Sequence, residues 1–226
     1  MCGIITITGN KAGAVADSAV QAMLATLAQR GPDDRDFVRF PPCILGQTRL
    51  SIIDLAGGHQ PMRDNTKPLT IVFNGEIYNY KEMRAELEKK GHHFSTTSDT
   101  EVILKAYIEY GEACPKYLDG MFAFTIWNEA TKELFVARDR FGKKPLYYSF
   151  IKNSSDGADA GGTIIFASEI KAIFASGQLK GEIDWSAVDN YLTLMYVPPW
   201  KSIYKNVLVI PPACSATYKN GELGQL

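Results

Sequence analysis

The chain has 226 residues, with 24 Lys and Arg against 25 Asp and Glu and a formal net charge of −1, so no basic excess supports general binding to nucleic acid or to an anionic membrane surface. At 46% hydrophobic and 22% charged residues the composition is globular and excludes a disordered chain. No apolar run approaches the ~20 residues of a membrane span, and a domain of this size buries roughly 70% of its unfolded surface without a metal or disulfide staple.

The start, Met1-Cys2-Gly3-Ile4-Ile5-Thr6, has no basic n-region and no long apolar stretch. It is not expected to be a signal peptide, and the expected compartment is the cytoplasm. Gly3–Thr8 reads as a strand, followed by a helix carrying Val20, Met23, Leu24 and Leu27 at i, i+3, i+4, i+7 and stopped at Gly31. Strands are predicted over Ile44–Leu50 and Leu69–Phe73. Asn79 with Glu82 predicts a helix containing Tyr80, Met83 and Leu87 that ends at Gly91, and Ser98 with Glu101 has capping-box spacing before a helix that ends at Gly111. Met121–Trp127 and Glu133–Arg138, joined by a short polar loop, read as an antiparallel hairpin. Leu146–Phe150 and Thr163–Ala167 are further strands, with Asn153–Gly162 an exposed loop between them. Helices are predicted over Ser168–Ser176 and Trp185–Met195. Ala216–Lys219 then reads as a strand, with Asn220-Gly221 a type I′ turn signal and a short return through Glu222 and Leu223, as at a domain boundary.

Cys2, Cys43, Cys114 and Cys214 are scattered without a Cys-x-x-Cys, which argues against a zinc or dithiol motif and predicts free thiols. Cys2 is nevertheless a candidate nucleophile. Removal of Met1, which a small second residue permits, would leave a thiol beside its own α-amine, a complete nucleophile–base pair. On position alone the commoner reading is an incidental residue. Asn74-Gly75, directly after an apolar strand, suits an oxyanion hole, since Asn supplies an N–H donor and Gly permits close backbone approach; the same dipeptide is also the commonest hairpin turn. Arg49 offers a bidentate clamp for a carboxylate, or a surface ion pair. Asp99 offers an anion for an ammonium group, or a helix cap. His92-His93 has no acidic cluster beside it and receives no role, and no metal site is expected.

These pieces occur together, in order, in one family. Met1-Cys2-Gly3-Ile4, Arg30-Gly31-Pro32-Asp33-Asp34, Arg49-Leu50-Ser51-Ile52-Ile53-Asp54, Asn74-Gly75-Glu76-Ile77-Tyr78-Asn79, Ser98-Asp99-Thr100-Glu101-Val102, Gly120-Met121-Phe122-Ala123-Phe124, Ala137-Arg138-Asp139-Arg140-Phe141-Gly142 and Ala167-Ser168-Glu169-Ile170-Lys171-Ala172 resemble the class II glutamine amidotransferases of the N-terminal-nucleophile hydrolase type. Within that class the chain is similar to the N-terminal glutaminase domain of glutamine-hydrolysing asparagine synthetases.

The resemblance implies an α+β fold, a four-layer αββα sandwich of two antiparallel sheets, with residues 1–226 a single domain and residues 196–226 leading toward an ATP-dependent synthetase domain. It implies Cys2 as nucleophile with its freed amine as base, Asn74 and the Gly75 N–H as oxyanion hole, Arg49 on the α-carboxylate of L-glutamine, and Asp99 with Glu76 on the α-amine. The backbone of Leu50, Ser51, Ile52 and Ile53 would complete the pocket. It implies no cofactor for the glutaminase reaction, a synthetase domain or subunit as ammonia acceptor, no nucleic-acid or membrane partner, and allows a homodimer. No Ser-Gly-Gly-x-Asp-Ser loop for gripping ATP occurs in the sequence, so ATP and magnesium would belong to the synthetase half. Arg35-Asp36, Gln47-Thr48 and Pro212-Ala213-Cys214 depart from the family pattern without removing a catalytic group. Two alternatives stand beside this reading: a non-catalytic regulatory or scaffold module if Met1 is retained, and an enzyme of the same fold acting on another amide.

Overall fold

Strand β1 (Gly3–Gly9) is buried along its whole length, which requires a packed layer on each face. The computed structural model, which describes residues 1–151 and 162–226, supplies both. Further along the chain come α1 (Asp17–Thr26), β2 (Asp34–Phe40), β3 (Cys43–Arg49), β4 (Met62–Arg63), β5 (Leu69–Ile77), α2 (Tyr80–Lys89), α3 (Asp99–Tyr110), β6 (Gly120–Asn128), β7 (Glu133–Arg138), β8 (Tyr147–Ile151), β9 (Thr163–Ala167), α4 (Ile170–Ala175), α5 (Trp185–Leu194), β10 (Leu208–Val209), β11 (Ser215–Lys219) and β12 (Glu222–Leu223). They form two six-stranded sheets, ordered β10-β8-β9-β1-β3-β2 and β12-β11-β7-β6-β5-β4, with antiparallel pairing throughout.

Side chains alternate between the faces of a strand, and the alternation sorts the core into three layers. Ile5 and Ile7 of β1 pack with Leu24, Leu27 and Ile173 from α1, its C-terminal turn and α4. Ile4 and Leu45 of the first sheet meet Val72, Trp127 and Val136 of the second. Phe73 and Phe124 on the far face of the second sheet pack with Leu87 and Val102 of α2 and α3. The result is the expected αββα sandwich. Each buried Leu, Ile or Phe contributes about 1.5–3 kcal/mol.

The predicted hairpin β6–β7 is present. So is the C-terminal one, where Asn220 and Gly221 both have positive φ, as a type I′ turn demands, between Lys219 and Glu222. All four cysteines are free. Among the described residues no helix is long and apolar enough to cross a membrane.

The differences have local causes. Asp34–Phe40 is a strand that the sequence pattern does not reveal. It lies at the edge of its sheet, and its charged residues face solvent rather than alternating with a buried set. Strand β5 runs on through Asn74 and Gly75 to Ile77, so the turn reading of that dipeptide is wrong. Asn79 caps nothing with its side chain; it binds the Tyr117 carbonyl and the Asp119 N–H instead. Ser98 does cap α3, but Glu101 accepts from the Ser95 and Thr96 N–H groups rather than from Ser98, which leaves the capping box half formed. Except for Gly162, the loop expected over Asn153–Gly162 lies outside the described residues.

Candidate active site

The same alternation that builds the core assembles the site. Cys2 shares its parity with the inward-facing Ile4. Arg49 and Gln47 share theirs with Leu45, and Asn74 and Glu76 share theirs with Val72. All five therefore belong to the facing inner sides of the two sheets, where β1 begins and β3 ends. The sheets are tied there by Thr6 and Thr125, whose hydroxyls are 2.6 Å apart, and by the Gln47 Nε2 donating to the Phe73 carbonyl at 2.8 Å.

Cys2 lies against the Leu50 carbonyl, with its Sγ 3.7 Å away. The Arg30 Nε donates to the Cys2 carbonyl at 2.9 Å while its Nη1 pairs with Glu169 at 2.9 Å. Two residues on, the Ile4 N–H binds the Ser168 hydroxyl. The motifs Arg30–Asp34 and Ala167–Ala172 thus hold the chain start in place. Burial pushes the Cys2 thiol up and the Met1 α-amine down.

Asn74 is fully buried, and neither its amide oxygen nor its amide nitrogen has a hydrogen-bond partner. Burying such a group unpaired costs roughly 1–3 kcal/mol. Gly75 pairs in register with Phe122, but the Phe122 N–H and carbonyl are both engaged by Asp139. The Gly75 N–H therefore points to the other edge of β5. Two residues to either side on that edge, the Phe73 N–H donates to Gln60 Oε1 at 2.7 Å and the Ile77 N–H to Asp99 Oδ2 at 3.1 Å. A Cβ at position 75 would collide with the Met121 carbonyl, so the close approach of β6 demands glycine here.

Arg49 is 4% exposed. It donates to the carbonyls of Leu55, Ile53 and Asp54 at 3.2, 3.2 and 2.7 Å, which leaves two of the five guanidinium N–H groups. Gly58 packs so tightly on this guanidinium that no Cβ would fit. Asp54 fixes the loop by accepting from the Gly57 and Thr97 N–H groups. Asp99, the first residue of α3, is 5% exposed, and burial with Glu76 nearby raises its carboxyl to about 6. It is not the cap of its helix, a role that Ser98 fills.

One cavity joins these groups. Cys2, Arg49, Leu50, Ile52, Ile53, Asn74, Gly75, Glu76 and Asp99 all line it. Ser51 does not; its N–H binds Asp33 Oδ2 at 2.8 Å. The cavity offers about 100 Å³ on a measure by which one water needs about 10–15 Å³, which suits a small amino acid. Gln60, Ser98, Thr100, Met121 and Lys144 also line it, though none of them has a place in the site as read from the sequence. A buried Gln that bridges the Phe73 N–H and the Thr100 hydroxyl leaves no periodic signal. The histidines are elsewhere: His92 pairs with Glu109 and His59 with Asp34. Among the described residues no group of three or more His, Cys, Asp or Glu is placed to hold a metal ion.

A cysteine at the head of an inner strand of an αββα sandwich thus faces a cavity that also holds a fixed cation and a buried acid. The chain belongs to the glutamine amidotransferase domain family, whose model matches residues 1–225. It is 38% identical to asparagine synthetase [glutamine-hydrolyzing] 3 of Bacillus subtilis over 99% of this chain and 36% of that one. It is 37% identical to asparagine synthetase [glutamine-hydrolyzing] 2 of Oryza sativa over 89% of this chain and 33% of that one. The chain thus spans about a third of the length of these relatives. The glutamine phosphoribosylpyrophosphate amidotransferase of B. subtilis shares the fold, with a TM-score of 0.60 at 21% identity over 97% of this chain and 49% of that one. The allosteric regulatory enzyme of purine biosynthesis does so at 0.65 and 19%, over 98% and 48%.

Proposed function

We propose that this domain hydrolyses L-glutamine to glutamate and ammonia with Cys2 as nucleophile. The observation that carries the reading is the buried, unpartnered Asn74 amide sharing one cavity with Cys2, Arg49 and Asp99. Removal of Met1 frees the Cys2 α-amine. The amine takes the thiol proton, and the sulfur attacks the side-chain amide carbon. The carbonyl oxygen becomes an oxyanion that accepts from Asn74 Nδ2 and the Gly75 N–H. Collapse breaks the C–N bond, and the ammonium formed from the amine protonates the departing nitrogen, giving ammonia and a γ-glutamyl thioester. Water then attacks the thioester carbon, its proton passing through the amine to the sulfur as the C–S bond breaks, and glutamate leaves. Arg49 binds the α-carboxylate with its two remaining donors, while Asp99, with Glu76 beside it, binds the α-ammonium.

The ammonia acceptor in this reading is an ATP-dependent synthetase unit, as the names of the longer relatives suggest, with residues 196–226 leading toward it, ATP and magnesium bound there, and the reaction taking place in the cytoplasm. The test is incubation with an electrophilic glutamine analogue followed by intact-mass measurement. The chain that begins at Cys2 is expected to gain one adduct and to release ammonia from glutamine, and Cys2→Ala to do neither. Turnover by Cys2→Ala at the wild-type rate would overturn the reading.

A further inference from the structure

Lys144 is a charged group in the cavity wall that the steps above do not use. It is 4% exposed and lines the cavity with Cys2 and Glu76, and among the described residues its Nζ makes no hydrogen bond and no ion pair. A buried ammonium without a carboxylate partner is costly, so its placement requires support.

The support is a polar knot built from the Arg138–Gly142 motif. Asp139 is fully buried, and its carboxylate accepts four backbone N–H groups: Phe141 and Lys143 on Oδ1, Phe122 and Lys144 on Oδ2, at 3.0–3.2 Å. The Arg138 guanidinium donates to the carbonyls of Lys144, Gly142 and Ile210 at 2.7, 2.7 and 2.6 Å. Both backbone polar groups of Lys144 are therefore held, one by each side chain, and the loop delivers the lysine to the nucleophile end of the cavity. The charged groups around it are Arg30, Cys2, Asp139 and Glu76, with the α-amine at the chain start, and Arg49 and Asp99 also line the cavity.

We propose that Lys144 is the fixed cation of the nucleophile, a positioning residue that favours the neutral α-amine and the thiolate of Cys2 over their protonated forms. The inference rests on the reading of Cys2 given above. A nearby positive charge disfavours an ammonium and favours a thiolate, and the two Cys2 groups titrate as a coupled pair. Loss of the cation therefore raises the pH at which the pair becomes active.

The experiment measures the pH dependence of Cys2 alkylation by iodoacetamide, read at the Cys2 peptide by mass, and of kcat/KM for glutamine. It compares the wild-type chain beginning at Cys2 with Lys144→Met, Lys144→Gln and Lys144→Arg. The neutral variants are expected to move the acidic midpoint upward by about 0.5–1.5 pH units, the scale of one charge across a small cavity at an effective dielectric of about 20. Lys144→Arg should keep the wild-type midpoint, because arginine supplies the same fixed charge. An unmoved midpoint in a folded neutral variant, or an equal shift in Lys144→Arg, overturns the inference. If neither neutral variant folds, Lys144→Arg decides alone, and an acidic midpoint moved upward in that variant rejects it. A wild-type chain that forms no adduct with the glutamine analogue rejects the reading of Cys2 instead.

Discussion

Replacing Asp99 by Asn separates what its charge costs the fold from what it does for glutamine. The carboxyl is 5% exposed and stands at about 6 against an ordinary 3.8. Because the folded value lies above the unfolded one, the unfolded chain releases its proton first as pH rises. The charged carboxylate then weighs against folding increasingly from about pH 4 and fully above pH 6. At about 1.4 kcal/mol per pH unit the full cost is on the order of 3 kcal/mol. An asparagine fills the same space, and its side-chain oxygen still accepts the Ile77 N–H. In urea denaturation without glutamine, Asp99→Asn should therefore be more stable than wild type by about 2–3 kcal/mol at pH 7.5, and by less than about 1 kcal/mol at pH 4. The same substitution should raise KM for glutamine at least tenfold, as expected for the loss of a charge-assisted bond worth about 1.5–3 kcal/mol. It should also narrow the preference for glutamine over an analogue lacking the α-amine. A variant less stable than wild type at pH 7.5, or a stability gain independent of pH, refutes the electrostatic account. A preference ratio unchanged within twofold refutes the assignment of the amine to Asp99.

Asn74→Ala should lower kcat by about 10²–10³, the usual cost of one oxyanion donor. Because its amide atoms hold no partner, denaturation should register a loss below about 1 kcal/mol; a large loss with unchanged kcat would mean that the amide serves packing. Arg49→Lys should raise KM at least tenfold and also weaken the loop, since a lysine cannot reproduce a planar fork that holds three carbonyls. Kinetics and hydrogen exchange at Ile53–Leu55 report the two effects separately. A bulky residue inserted between Met1 and Cys2 should prevent processing and abolish glutaminase activity while the melting temperature holds; full activity in a chain shown by mass to retain Met1 would exclude the amine as base.

The sequence makes the central strands legible because their side chains declare both faces: β1, β6 and β9 are nearly continuous β-branched and apolar runs. It hides β2 because an edge strand carries charge outward, and β4 and β10 because two residues have no period. Cys2, Arg49 and Asp99 are legible as candidates because each has uncommon chemistry at a strand end or helix start. Gln60 and Lys144 are not: Gln60 is placed by bonds to the distant Phe73 and Thr100, and Lys144 by a loop whose backbone is held by the Asp139 and Arg138 side chains. For Lys144 one local trace does exist: an Asp directly after a strand, with a Gly three residues on, is the pattern of a carboxylate about to gather the next few N–H groups.

Asn74-Gly75 marks where local reading reaches its limit. The dipeptide reads as a turn because Asn and Gly tolerate positive φ, yet β5 continues through both in extended form and Gly75 is required by the nearness of the Met121 carbonyl. The same two letters answer two different physical demands, a left-handed backbone in one case and the absence of a Cβ in the other. Only the neighbouring strand decides which demand applies. Ala213 makes the converse point. It takes φ +59 where Pro212-Ala213-Cys214 departs from a Pro-Gly-His pattern, so the backbone keeps a conformation suited to glycine, and the Ala213 N–H bond to the Asp139 carbonyl helps to hold it there. A substitution to glycine at that position should therefore be neutral or stabilising, the opposite of what removing a methyl group from a packed site would do.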